Sequence, residues 1–223
     1  MSVSHSPAVD IAEPKTPKRS RLAPEERRAQ LISLAAAAAR RRGDLPIALG
    51  DLAKAAKVSK ALVYAYFPTQ YDLFNAVLAA EFDAMAQAGM IEAASAAQLG
   101  DAAERSALLY FEHIVARGTA SHLILRDPYM RGQISAANRA FRDQVAGQFA
   151  RAARRELRLR PHEAVAAFNL AVVIPEEAAL LVRSGDTDQD VAREVVTQLI
   201  QSTLAGLRRA HDTGPAQLGG TTR

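Results

Sequence analysis

The chain has 223 residues, 49% of them apolar and many of those alanine, with no cysteine and aromatic residues at only 5%. That length is enough to bury a proper core, while the absence of thiols excludes disulfides, cysteine-ligated zinc and a cysteine nucleophile, and fits a reducing cytosol. The net charge of +4 is unevenly spread: residues 1–70 carry 12 Lys and Arg against 6 Asp and Glu, residues 71–223 carry 16 against 18, and all five lysines precede residue 61. A basic end on a mildly acidic body points to a polyanion bound at that end. Residues 1–22 are polar, contain prolines and lack periodicity, which predicts a disordered arm. Lys15, Lys18, Arg19 and Arg21 make the arm basic, suited to lying along phosphates or entering a minor groove. Residues 1–20 hold no apolar run of the secretory type.

Pro24-Glu25-Glu26 predicts a helix start, with proline in the first turn and acids at the positive end of the dipole. Leu31, Leu34, Ala35 and Ala38 share one face, and Arg40-Arg41-Arg42 followed by Gly43 closes the helix. From Leu49 to Phe74 the chain reads as two short helices joined by a tight turn, then a long helix after a proline. Leu49, Leu52 and Ala53 give the first an apolar face, and Ala56-Lys57-Val58 is the turn. Ser59 is placed to cap the second, roughly Lys60 to Phe67. Leu62 and Val63 are expected to pack inward, with Lys60, Ala61, Tyr64 and Tyr66 on or near the outside. This is the helix-turn-helix pattern, whose second helix enters a DNA major groove.

Ala53-x-x-Ala56-x-Val58-Ser59-Lys60, then Val63-Tyr64-Ala65-Tyr66-Phe67-Pro68, then Leu73-Phe74, resembles the DNA-binding signature of the tetracycline-repressor (TetR) family. The matching segment runs from about Glu25 to Val77, roughly a quarter of the chain. Four positions depart from the family pattern: Lys57 replaces a usual glycine, Ala48 a frequent threonine, Gln70 a usual lysine and Ala65 a usual histidine. These departures bear on the operator sequence more than on the fold. The resemblance implies an all-α protein, with an N-terminal three-helix DNA-binding domain and a larger helical ligand-binding and dimerisation domain. It also implies that the long helix after Pro68 transmits conformational change between the two.

Thr69-x-x-Asp72 resembles a capping box for that long helix, whose apolar face is Leu73, Phe74, Val77, Leu78, Phe82 and Met85. A second box, Asp101-x-x-Glu104, predicts a helix through Arg117-Gly118. A short segment spans Ser121 to Arg126, and an arginine-rich helix runs from about Ile134 to Leu157. Pro161-His162-Glu163 opens another helix ending at Ser184-Gly185, kinked by Pro175. Its apolar stretch from Ala164 to Val182 is interrupted by Pro175-Glu176-Glu177 and reads as a core helix rather than a membrane span. Thr187-x-x-Asp190 caps the last helix, which runs to about Ala210. There Val191, Val195 and Leu199 form one apolar stripe and Val196, Ile200, Thr203 and Leu207 a second, so one stripe faces the core and the other invites a partner. In the family two such helices per subunit make the dimer interface.

The domain boundaries read as 1–22 arm, 23–70 DNA-binding domain, 71–211 effector-binding and dimerisation domain, and 212–223 disordered tail. No catalytic constellation, metal site or cofactor motif emerges: there is no HExxH, no G-x-S-x-G and no Walker loop. The candidate DNA contacts are Lys57, Ser59, Lys60, Ala61, Leu62, Tyr64, Ala65 and Tyr66. Candidate lining residues for a small-molecule pocket are Phe82, Met85, Tyr110, His113, Tyr129, Phe141 and Asn169. The expectation is a cytoplasmic, homodimeric, non-enzymatic transcription regulator, a repressor released from a palindromic double-stranded operator by a small-molecule effector. The alternative is a DNA-bound regulator or scaffold controlled by a protein partner.

Overall fold

The computed structural model describes residues 22–212, with side chains through residue 210. The basic arm, apart from its last residue, and residues 213–223 of the tail lie outside the described residues. All regular structure described is helical. The helices are α1 (Pro24–Arg42), α2 (Leu49–Ala56), α3 (Lys60–Tyr66), α4 (Gln70–Gln87), α5 (Met90–Ala94), α6 (Leu99–Arg117), α7 (Ala120–Arg126), α8 (Ala136–Leu157), α9 (Pro161–Ala171), α10 (Val173–Ser184) and α11 (Gln189–Asp212), with a 3₁₀ turn at Pro128–Met130.

Local chemistry explains most of the boundaries. The Glu26 carboxylate accepts the Ala23 N–H at 2.9 Å to open α1, and Gly43 closes it in the left-handed region at φ 77°, where glycine carries no Cβ penalty. Thr69 and Asp72 form the reciprocal box at the start of α4. Helix α2 lacks such help: Ala48 stands at its N-cap in extended geometry with no side-chain hydrogen bond. An Ala48→Thr substitution is therefore expected to stabilise the protein by about 1 kcal/mol, read as a higher denaturant midpoint at unchanged m-value.

Two expectations need correction, and the kink expected from Pro175 is present as a break in its helix. Helix α6 begins at Leu99, two residues before Asp101, and its cap comes from outside the segment. The Leu99 N–H donates to both oxygens of Glu156 in α8, at 3.0 and 3.1 Å. The helix after Pro161 divides at Val172 into α9 and α10. Pro175 has no N–H to offer the carbonyl four residues earlier, so the break falls just upstream of it. At α11 the Ala192 N–H bonds to the Asp188 carbonyl, so Asp188, not Thr187, occupies the cap.

Buried side chains of α1, α2, α3, α4 and α7 form one continuous apolar cluster, with Leu31, Val63, Phe74, Val77 and Ile124 among its fully buried members. A second cluster joins α6 and α8 around Phe149 and Leu157. A third sets α6 against α10 and α11 through Phe111, Ile114, Ala179 and Val196.

The segment 161–184 is long and apolar enough to cross a membrane by length and composition, and only 22% of its apolar window is buried; α10 joins the core through Pro175, Glu176 and Ala179, while much of the rest is open. Together with α11 it leaves an apolar surface open. Val196 and Ile200 face the core, while Leu181, Val191, Val195 and Leu199 are each about half exposed.

Candidate nucleic-acid interface and internal cavity

The turn between α2 and α3 is closed by two backbone bonds, Val58 N–H to the Ala53 carbonyl and Lys57 N–H to the Lys54 carbonyl, both 3.0 Å. This is the Schellman arrangement, which places one residue in the left-handed region. That residue is Lys57, at φ 55° and ψ 44°, where a Cβ costs roughly 1 kcal/mol. Arg27 of α1 braces the same turn by donating to the Ala56 carbonyl at 3.3 Å. The Gln70 side chain accepts the Ile47 N–H at 3.1 Å, tying the chain before α2 to the first turn of α4.

Ser59 caps α3, its hydroxyl oxygen accepting the Leu62 N–H at 3.1 Å. Val63 is wholly buried beneath the helix and Phe67 follows it inward. Leu62, expected to pack inward, is instead exposed, because on a two-turn helix only one position per turn meets the core. Lys57, Ser59, Lys60, Ala61, Tyr64 and Ala65 are also exposed, and Tyr66 is half-buried. The Lys60 ammonium lies 5.8 Å from the Tyr64 ring centroid, within cation–π range. Residues 57–66 contain no carboxylate. The eight candidate contacts thus form a turn and a helix with a cationic, aromatic and methyl-bearing outer surface, the chemistry that meets phosphates and base edges.

Several bonds join this unit to the body. The Leu45 N–H donates to Asp127 Oδ2 at 3.0 Å, and Asp127 Oδ1 accepts the Tyr129 N–H at 2.8 Å. Asn75 of α4 donates to the Gln133 carbonyl and accepts from the Ser135 N–H and from buried Asn138 of α8. Between α4 and α6, buried Glu81 takes a two-pronged bond from Arg117 at 2.9 and 3.0 Å, and His113 Nε2 lies 2.9 Å from its Oε2. Burial alone pushes the Glu81 carboxyl up; the bonds and charges of His113 and Arg117 outweigh it and hold the group below the usual carboxylate range.

Behind this junction α4 to α11 enclose a cavity of about 660 Å³, a size typical of small-molecule sites. Phe82, Met85, Tyr110, Phe141 and Asn169 line it. Phe82 stacks on Phe141 with centroids 4.7 Å apart, and Phe149 on Phe168 at 5.3 Å. His113 and Tyr129 are not on its wall. His113 turns to Glu81, and Tyr129 stacks on Tyr71 at 4.8 Å with its edge to Phe74. Helical spacing places His113 on an inner face without revealing which inner neighbour it would meet, and Tyr129, in the 3₁₀ turn, has no helical periodicity to place it.

The wall also holds polar side chains that sequence reading did not select: Ser106, Ser121, His122 and Glu176. Burial pushes the Tyr110 phenol well up and the Glu176 charge adds to this, against smaller opposing effects of Arg126 and Ser121. The one available signal for Glu176 was an acid directly after a proline within an otherwise apolar stretch. Among the described residues no group of three or more His, Asp and Glu side chains is arranged to hold a metal.

Residues 31–77 match the family described as bacterial regulatory proteins, tetR family. No curated protein matches the chain. Solved structures similar in fold include a TetR-like transcriptional regulator from Rhodococcus sp. RHA1, at 18% identity and a TM-score of 0.63, covering 83% of this chain and 100% of that one. The TetR family transcriptional regulator PfmR from Thermus thermophilus is 18% identical with a TM-score of 0.59, over 78% of this chain and 97% of that one. A TetR variant from Acinetobacter baumannii AYE in complex with minocycline is 16% identical with a TM-score of 0.57, over 86% of this chain and 99% of that one.

Proposed function

We propose, for a chain that belongs to the tetR family of bacterial regulatory proteins and is a DNA-binding transcriptional regulator, that it acts in the cytoplasm as a homodimeric repressor released from its operator by a small molecule. The observation that carries this reading is the exposure pattern of α3: Val63 is buried while Lys60, Ala61, Leu62, Tyr64 and Ala65 stay open on a helix free of acids.

Residues 23–70 serve as the DNA-binding domain and residues 71–211 as the effector and dimerisation domain. Each subunit lays α3 in a major groove. Lys60 and Tyr64 reach base edges, Ser59, Lys57 and Tyr66 meet phosphates, and Ala61, Leu62 and Ala65 contact thymine methyls or exclude water. Two copies joined through α10 and α11 present two readers, so the operator is a near-palindrome with half-sites about 34–36 Å apart or a multiple of that. The half-exposed stripe Val191, Val195 and Leu199 supports this assembly, since a continuous apolar face of this kind marks an interaction site.

An effector in the cavity favours a spacing of the two readers that does not fit the operator, which requires a higher affinity for that state. Asp127 supports such coupling: it follows α7, which walls the cavity, and holds the loop before α2. The likeness to the minocycline-bound protein is one of fold, and it supports a ligand-binding body without naming the ligand. Nothing in this reading assigns catalysis to the chain.

Selection of random duplex DNA by the purified protein at fixed salt tests the reading. An enriched palindrome is the expected result; salt-sensitive binding without enrichment counts against it. Tyr64→Ala is expected to weaken binding to the selected site by about 1–3 kcal/mol while dimer mass stays unchanged. Equal affinity of wild type and variant would remove α3 from the groove.

A further inference from the structure

The cavity has an apolar wall and one buried charge. Glu176 is 2% exposed. It sits in the first turn of α10, where the helix dipole favours a carboxylate, beside fully buried Pro175. One oxygen, Oε1, is paired with Nδ1 of His122. The other, Oε2, is buried and has no hydrogen-bond partner, and Glu176 is among the residues that line a space of about 660 Å³. An unpartnered acceptor on a buried carboxylate is costly, and native proteins leave few of them without a reason.

The other charged groups on the wall differ in position. Arg126, Arg142 and Asp143 are exposed and belong to the rim. A ligand that enters past the rim therefore meets one buried carboxylate, with His122 on its other oxygen. Along the way lie the stacked pairs Phe82–Phe141 and Phe149–Phe168, whose ring faces favour a cation or an aromatic body.

We propose that the cavity takes a lipophilic amine, whose ammonium donates to the free Oε2 of Glu176 while its apolar body lies among the phenylalanines. The assignment rests on the reading of the cavity as an effector site and names the chemical class of that effector. An alcohol of the same shape supplies a neutral donor and less compensation for the carboxylate. A carboxylic acid places like charges together.

The test uses three probes with one skeleton, 4-phenylbutylamine, 4-phenylbutan-1-ol and 4-phenylbutanoate, titrated by calorimetry into the full chain and into Glu176→Gln. Wild type is expected to bind the amine about tenfold or more tighter than the alcohol. That preference should fall to within about threefold in Glu176→Gln, which keeps the shape and removes the charge. Equal or tighter binding of the alcohol or the acid, no binding of the amine, or an undiminished preference in the variant overturns the assignment. If Glu176→Gln does not fold, the wild-type series alone decides between these outcomes.

Release of the selected operator DNA by each probe separates this proposal from the reading it rests on. Charge-dependent amine binding without release leaves the ligand class standing and removes the effector role. Release by the alcohol or the acid, with no amine binding, keeps the effector role and removes the ligand class.

Discussion

Glu81→Ala is expected to lower the unfolding free energy by about 3 kcal/mol, because it strips a buried, doubly paired carboxylate from the junction of α4 and α6. His113, 8% exposed, then loses its partner, whereas half-exposed Arg117 can turn to water, which keeps the loss at the low end for buried pairs. For a chain of this size the midpoint should fall by roughly 6–12 °C. The pH dependence has a definite sign. The Glu81 carboxyl is held below its unfolded value, so its contribution is fully present above the ordinary carboxylate range and is lost as pH falls through the depressed folded value. The gap between wild type and Glu81→Ala should accordingly narrow below about pH 4. A gap that is constant from about pH 7 to about pH 3 would show that packing, and not charge, carries the effect.

Leu199→Asp is expected to dissociate the proposed dimer. In a two-fold interface each substitution appears twice, so two carboxylates are placed on the apolar stripe formed with Val191 and Val195. Burying them unpaired costs several kcal/mol, enough to move a micromolar solution to monomer. The monomer core should survive, since Val196 and Ile200, not Leu199, face inward. Operator affinity should drop about 100-fold or more, because one reader no longer brings the second to its half-site. Light scattering at several concentrations, beside a circular dichroism melt, checks both parts. A dimer that persists with unchanged operator affinity would move the interface off this stripe.

The DNA-reading end is the most legible in sequence because its chemistry is local. Ser59 caps the helix that begins one residue later, Thr69 and Asp72 close their box within one turn, and Gly43 stops α1 where a positive φ is required. Lys57 stands where a glycine is usual, and it does adopt the left-handed backbone. The body is legible in its helical pattern and in the two stripes of α11, which follow from a period of 3.6. What sequence leaves hidden depends on neighbours far away in the chain. The inward turn of Glu176 and its pairing with His122 arise from α10 meeting α7. His113 falls on an inner helix face and Tyr129 in the 3₁₀ turn before α8, but their partners, Glu81 and Tyr71, come from α4. Leu62 reads as core by its apolar character, which on a short exposed helix does not decide burial.

The cap of α6 has a consequence for how the molecule opens. A helix whose first N–H is held by its own N-cap can fray by itself, but Leu99 is held by Glu156, 57 residues later. Arg155 adds a bond from the same end of α8 to the Ala97 carbonyl at 2.9 Å. The first turn of α6 therefore takes its stability from the docking of α8, a contact made only after a long loop has closed. Its amide is therefore expected to exchange with solvent only when that part of the body comes apart, with the slow, cooperative protection of an interior helix, although it sits at a helix end where rapid fraying is the rule.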